Sequence, residues 1–185
     1  MTDEQLTWCE PFRVGFVSTL ARPKLKIKVT ALPINISVNP ELALHVINFT
    51  GSVLFSEIGE LGRAHAENLS WASADTLHIV AEDADLSDLT GAHLDAVRAH
   101  YRQLHQSIEF YLVRRAGWVC PSSEACRIVE YWLHDRHSRD GQGTEVYLAA
   151  TLDDLGELFS QDEIEAARTR AEFVEQLRID HKPVR

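Results

Sequence analysis

Four residues between positions 118 and 137 have side chains that could bind a zinc ion. Cys120 and Cys126 come first, and His134 and His137 follow. Thiolate and imidazole groups are the ligands that zinc prefers, and it holds them at about 2.0–2.3 Å. The spacings C-x5-C and H-x2-H differ, however, from the short-spaced pairs of common zinc sites. The residue types suit zinc, but their spacing does not favour it.

The composition of residues 126–133 decides how far apart these ligands lie. The segment CRIVEYWL is rich in β-branched and aromatic residues, which predicts a strand. A strand would separate Cys126 from His134 by roughly 26 Å, and a helix would separate them by about 12 Å. We therefore expect no metal centre and no cofactor. We expect a β-hairpin in which Cys120 and Cys126 flank the turn PSSEA. Metal binding by these two thiols is the weaker alternative.

A second group of reactive side chains forms the segment HDRHSRD at residues 134–140. Histidine beside aspartate is what a general base and its orienting carboxylate require, and arginines bind anionic substrates. A polar hairpin loop explains the same composition, because adjacent loop residues seldom point at one substrate. In the alternative interpretation, in which the protein is an enzyme, the candidate catalytic residues are His134, Asp135, His137 and Asp140. The sequence contains no P-loop, dinucleotide, G-x-S-x-G or H-E-x-x-H motif, which weighs against the commonest enzyme classes.

The formal net charge of -10 is unevenly distributed along the chain. Between Lys28 and Arg98 the only lysine or arginine is Arg63, and residues 140–167 contain neither. The candidate partner-binding carboxylates of these two acidic tracts are Glu82, Asp83, Asp85, Asp153, Asp154, Glu157, Asp162 and Glu163. Such segregation creates a field that steers association with a basic partner, although a charged face can also serve solubility alone.

The elements that must position these side chains follow from hydrophobic periodicity. Strands are predicted over residues 12–20, 24–32, 34–38, 76–81, 126–133 and 144–150, and a strand hairpin over 41–58. Helices are predicted over 60–69, from about Ser87 to Arg115, and after the capping box of Ser160 and Glu163. The expected class is α+β. A mainly antiparallel sheet, made of N-terminal strands and a later hairpin, packs against one long central helix and a C-terminal helix.

Length and composition fit a soluble globular protein. We expect a single domain over residues 1–185, with 160–179 as a C-terminal helix packed on it. The N-terminus has no signal pattern, no apolar run is long enough for a membrane span, and three cysteines suit a reducing compartment. A cytoplasmic location is expected.

The sequence therefore predicts a non-enzymatic acidic binding protein, such as an adaptor, an inhibitor or an immunity-type regulatory factor. Its expected partner is another protein with a basic surface, for which nucleic-acid-binding machinery is one example. Direct binding to nucleic acid or to a membrane is not expected, and the alternating lysines at 24, 26 and 28 are interpreted as protection of an edge strand. The alternative is a small cytoplasmic enzyme that uses residues 134–140 for acid–base or metal-assisted chemistry. The oligomeric state is not set by the sequence.

Overall fold

The structure is a computed structural model that describes residues 33–68, 71, 74–107, 115–133 and 145–180. The strands predicted over 12–20 and 24–32 lie outside these residues. In chain order the elements are β1 (Ile34–Asn39), β2 (Leu44–Phe49), α1 (Phe55–Glu67), β3 (Asp75–Val80), α2 (Gly91–Ser107), β4 (Arg115–Val119), α3 (Ser123–Leu133), β5 (Glu145–Ala149), a 3₁₀ turn (Asp153–Leu155), α4 (Gln161–Thr169) and β6 (Val174–Ile179).

The first two strands form a hairpin, as the turn signal Asn39-Pro40 indicates. The Asn39 side-chain oxygen accepts hydrogen bonds from the backbone N–H groups of Glu41 and Leu42, at 3.0 and 3.1 Å. This Asx-type arrangement fixes the turn. The strand predicted after Pro33 is confirmed as β1, and the strand predicted over 76–81 is confirmed as β3 with bounds one residue earlier.

The six strands of the described residues form one mixed sheet in the order β5-β4-β3-β2-β1-β6. The pairs β2–β3, β3–β4 and β4–β5 are parallel, whereas β1 is antiparallel to both β2 and β6. The prediction of a mainly antiparallel sheet is therefore wrong. Parallel neighbours require a crossover connection, and a helix lies in each of the connections between β2 and β5.

Two segments predicted as strands are helices, which explains the error in sheet type. The second half of the hairpin predicted over 41–58 enters α1, and the predicted strand over 126–133 is the body of α3. The buried residues of α3 are Ala125, Val129, Trp132 and Leu133, whose spacing is helical. Burial of this helical stripe outweighs the β-propensity of the segment.

The long central helix and the C-terminal helix are shorter than predicted. α2 is described from Gly91 to Ser107, and Arg115, which was predicted to end that helix, instead begins β4. α4 begins at the predicted capping box but ends at Thr169, since Arg170 and Glu172 adopt left-handed backbone conformations with φ of 59° and 65°. The residues that follow form β6, so a helix over 160–179 is wrong.

The sheet separates two hydrophobic layers. α1, α2 and α3 pack on one face, with Ile58, Leu94 and Trp132 in the same cluster as Phe49 and Trp118. The 3₁₀ turn and α4 cover the other face. Gly117 of β4 allows their close approach, because a Cβ atom there would lie 2.8–2.9 Å from side-chain atoms of Leu155, Phe159 and Leu77. None of the helices in the described residues is long and apolar enough to cross a membrane.

Candidate functional site

The loops that follow the parallel strands β2 to β5 lie together at one side of the sheet, which we call the carboxyl edge. They comprise residues 50–54, 81–90, 120–122 and 150–152. The opposite side, where these strands begin, is the amino edge. Open α/β sheets bind ligands outside the carboxyl ends of their strands. A binding site is therefore expected first at the carboxyl edge.

Three predicted partner-binding residues lie in the carboxyl-edge loop after β3. Glu82, Asp83 and Asp85 are all exposed. The Asp85 carboxylate accepts a hydrogen bond from the Ser87 N–H at 2.9 Å, and the hydrogen bonds of Ser87 lower the pKa of Asp85. Glu82 and Asp83 take part in none of the ion pairs found among the described residues. Among the described residues, these two charges are therefore exposed and not neutralised by an ion pair.

The N-terminus of α1 adds negative charge to the same edge. Helix N-termini commonly bind phosphate, because their N–H groups point at the ligand. Here the Asp88 carboxylate accepts from the Phe55 N–H at 2.8 Å, and the Glu57 carboxylate accepts from the Leu54 N–H at 2.7 Å. The protein's own carboxylates thus occupy the position that an anionic ligand would take, and the edge attracts cations instead.

The second acidic tract is largely engaged within the protein. Asp153 is paired with Arg168, which also binds Glu165 at 2.6 Å. Asp154 accepts hydrogen bonds from the Thr151 N–H at 3.0 Å and from its hydroxyl at 2.7 Å. Glu157 accepts one from the Tyr147 hydroxyl at 3.2 Å. These side chains are exposed, but each already has a partner.

Glu163 belongs to an internal ion-pair network at the amino edge. Arg115 lies between Glu163, 2.6 Å away, and Asp75, and both carboxylates belong to buried residues. The Arg115 guanidinium also donates to the Leu158 carbonyl oxygen at 2.7 Å. Burial opposes ionisation of Glu163, but hydrogen bonds from Arg115 and Ser160 outweigh it and lower the pKa of its carboxyl group. This geometry gives Glu163 a structural role, whereas the neighbouring Asp162 is exposed.

The two cysteines do not flank a hairpin turn. Cys120 follows β4, Cys126 lies in α3, and both line a cavity of about 640 Å³ beside β5. Burial, followed by the charges of Cys126 and Glu130, raises the pKa of the Cys120 thiol to about 12, so it is protonated at neutral pH. Within the described part of the chain no three His, Cys, Asp or Glu side chains are placed to hold a metal ion.

The His/Asp loop cannot be placed. His134, Asp135, His137 and Asp140 lie outside the described residues. The catalytic alternative therefore stays a prediction from sequence.

A histidine cluster at the amino edge was missed by the sequence interpretation. His45 of β2 is buried, and burial together with the nearby charge of His65 lowers its pKa to about 4. The ring centroid of Trp71 lies 5.6 Å from that of His45 and 5.8 Å from that of His65. His65 Nδ1 lies 3.1 Å from the Tyr101 hydroxyl, and burial lowers the pKa of His65 as well. The alternation of His45 with Ile47 and Phe49 was the available signal that it faces the core.

The described residues form a mixed α/β protein, and the exposed carboxylates of Glu82 and Asp83 at its carboxyl edge take part in none of the ion pairs found among those residues. Comparison with known proteins gave no match: no family model, no curated protein sequence and no solved structure matches the chain.

Proposed function

We propose that this protein is a non-enzymatic binding protein that presents its carboxyl edge to a basic surface on another protein. The observation that supports the proposal most directly is the exposure of Glu82 and Asp83 without an ion pair in the described residues. Asp85 and Asp88 add to the negative potential there. An adaptor, an inhibitor or an immunity-type factor would use such a surface in the same way.

The backbone around these carboxylates is firmly held, which favours recognition. The Asp85 N–H donates to the Gly51 carbonyl oxygen at 2.7 Å, and the Val53 N–H donates to the Asp85 carbonyl oxygen at 2.9 Å. A rigid group of charges loses little entropy on binding. Its field also raises the association rate of a positively charged partner. Nucleic-acid-binding proteins suit the proposal because their phosphate-binding grooves attract clustered carboxylates.

We place this interaction in the cytoplasm. Cys120 and Cys126 are both present as thiols, which suits a reducing compartment.

The test is a charge reversal at the carboxyl edge. The double variant Glu82→Lys and Asp83→Lys should lose a stoichiometric partner that copurifies with the wild-type protein from its native host. The matched control reverses the same number of charges at the amino edge, with Glu41→Lys and Glu67→Lys, and should retain the partner. With the purified partner, the first variant should lower the association rate by about tenfold or more at low salt, and the difference should shrink as salt screens the charges.

Three results would contradict the proposal. One is the absence of any stoichiometric partner, and another is a partner that both double variants bind equally. The third is a protein in which His134→Ala abolishes the cellular phenotype while folding and partner binding are unchanged, which would favour the enzyme alternative.

A further inference from the structure

β5 forms one end of the sheet, and half of its backbone groups face away from β4. In the described residues β5 pairs with β4 alone. The Cys120 N–H donates to the Ala149 carbonyl oxygen at 2.9 Å, so the backbone groups of Ala149 face β4. Backbone groups of successive residues in a parallel strand face opposite sides. Val146 and Leu148 therefore direct their N–H and C=O groups outward.

A groove runs between this strand and α3. Cys126, Glu130 and Leu133 lie on one face of α3 and line the cavity of about 640 Å³, together with Val146 and Leu148 of β5. The protonated Cys120 thiol contributes a neutral wall. The described residues that line the groove are thus mainly apolar, and Glu130 is the one carboxylate among them.

The other side of β5 is acidic. Side chains alternate along a strand, so the side chains of Glu145 and Tyr147 lie on the face opposite those of Val146 and Leu148. The Tyr147 side chain is 44% exposed, and its hydroxyl donates to Glu157. A strand added beside β5 would therefore place alternate side chains against an apolar groove and against the carboxylates of Glu145 and Glu157.

We propose that β5 accepts an extended segment of a basic protein partner as a further strand of the sheet. Apolar side chains of that segment enter the groove under α3, and the alternating lysine or arginine side chains face Glu145 and Glu157. Main-chain hydrogen bonds to Val146 and Leu148 supply affinity, and the two faces supply specificity. β5 contains neither the lysine nor the proline that commonly prevents pairing at an exposed edge strand. The identity of the partner as a basic protein rests on the function proposed above.

The test uses the full-length protein and a synthetic acetylated peptide of about seven residues in which lysine and valine alternate, long enough to span β5. Binding is measured by fluorescence anisotropy. Two further peptides carry N-methyl groups on every valine or on every lysine. Only one of these patterns places the methyl groups against β5, so one peptide should lose at least about tenfold in affinity while the other binds nearly as before.

A substitution in β5 tests the same main-chain contact between the protein and the peptide. Val146→Pro removes an outward N–H without removing a hydrogen bond to β4, a position where an edge strand tolerates proline. It should weaken peptide binding by about tenfold or more, whereas Val146→Ala, which keeps the N–H group, should weaken it by less. Circular dichroism confirms that both variants are folded.

Equal binding of the two methylated peptides would overturn strand addition, because it would show attraction by charge alone. So would peptide binding that Val146→Pro leaves unchanged, or a dimer in sedimentation that this substitution dissociates, which would assign β5 to a second copy of the chain. A native partner that depends on Glu82 and Asp83 but ignores Val146→Pro would leave the proposed function standing and remove this inference. Peptide binding that follows the expected pattern, in a protein for which no native partner is found, would support strand addition and contradict the proposed function.

Discussion

The two edges of the parallel strands are both rich in charged and polar side chains, and they use them in opposite ways. At the amino edge, Arg115 is paired with both Asp75 and Glu163, and His45 is buried beside Trp71. At the carboxyl edge, Glu82 and Asp83 extend into solvent. The first arrangement is buried and paired, and the second is exposed and has no ion pair among the described residues.

This difference shows that the charge counted along the sequence is not the charge exposed on the folded protein. Both acidic tracts are poor in lysine and arginine. Glu163 of the second tract is 8% exposed and holds Arg115, whereas Asp83 of the first is exposed. The contrast can be tested by removing charges at each edge, and the changes below are ordered by the size of their expected effect on stability.

The largest effect should come from removing the cation of the amino-edge network. Arg115→Met leaves the carboxylates of Asp75 and Glu163 without their shared cation, and we expect the free energy of unfolding to fall by about 2–4 kcal/mol. The control is Arg168→Met, since Arg168 also bridges two carboxylates, those of Asp153 and Glu165, but at the surface. Arg168→Met should lower the free energy of unfolding by less than about 1 kcal/mol. Urea unfolding at pH 7 measures both, and equal losses would remove the distinction between buried and exposed networks.

The buried histidines should make stability depend on pH. The pKa of His45 is about 4 in the folded protein and about 6.5 when unfolded, so below pH 6.5 the unfolded chain binds a proton that the folded chain does not. Stability therefore falls as the pH is lowered, by about 2 kcal/mol between pH 7 and pH 5 for His45 alone. The lowered pKa of His65 acts in the same direction.

The measurement is urea unfolding at pH 7, 6 and 5. His45→Leu should remove most of the decline. The carboxyl group of Glu163, whose pKa is lowered, loses its contribution only at more acidic pH and does not interfere. A decline that His45→Leu leaves unchanged would show that the cluster is not its source.

The smallest effect should be that of charge reversal at the carboxyl edge. Glu82→Lys with Asp83→Lys should change the free energy of unfolding by less than about 0.5 kcal/mol, because neither residue has an ion pair to lose in the described structure. Asp88→Ala, at the same edge, should cost about 1 kcal/mol, since the Phe55 N–H loses its acceptor. A double reversal more costly than Asp88→Ala would mean that these carboxylates support the fold.

Local signals in the sequence predicted several elements correctly. The turn at Asn39 and the capping box of Ser160 and Glu163 depend on contacts within four residues, and both are present. Strand pairing is not local. The pattern of a strand does not say whether its neighbour is parallel, but the long connection from Phe49 to Asp75 was a usable signal, since a hairpin needs only a few residues.

The remaining errors come from tertiary burial. The segment CRIVEYWL has apolar residues that fit either period, and only packing of Val129 and Trp132 against the sheet selects the helix. The candidate site, too, was predicted only in part from the sequence. Exposure of Glu82 and Asp83 could be expected from their composition, whereas the pairing of Glu163 with Arg115 joins residues 48 positions apart and left no local signal.

The position of β6 has a consequence for the order in which the chain folds. β1 lies between β2 and β6, and Ile34 at its start pairs with Ile179 near the end of the described chain. Ribosomal synthesis proceeds from the N-terminus, so β1 to β5 emerge before the strand that covers the outer side of β1. Until residues 174–179 leave the ribosome, the backbone N–H and C=O groups on the outer side of β1 lack their hydrogen-bond partners in β6. Pairing of β1 with β6 joins two strands that lie near opposite ends of the described sequence. Forming such a non-local contact is slow. Completion of the sheet therefore waits until residues 174–179 have been synthesised, and nascent chains that stall before residue 174 expose β1 to pairing with other chains.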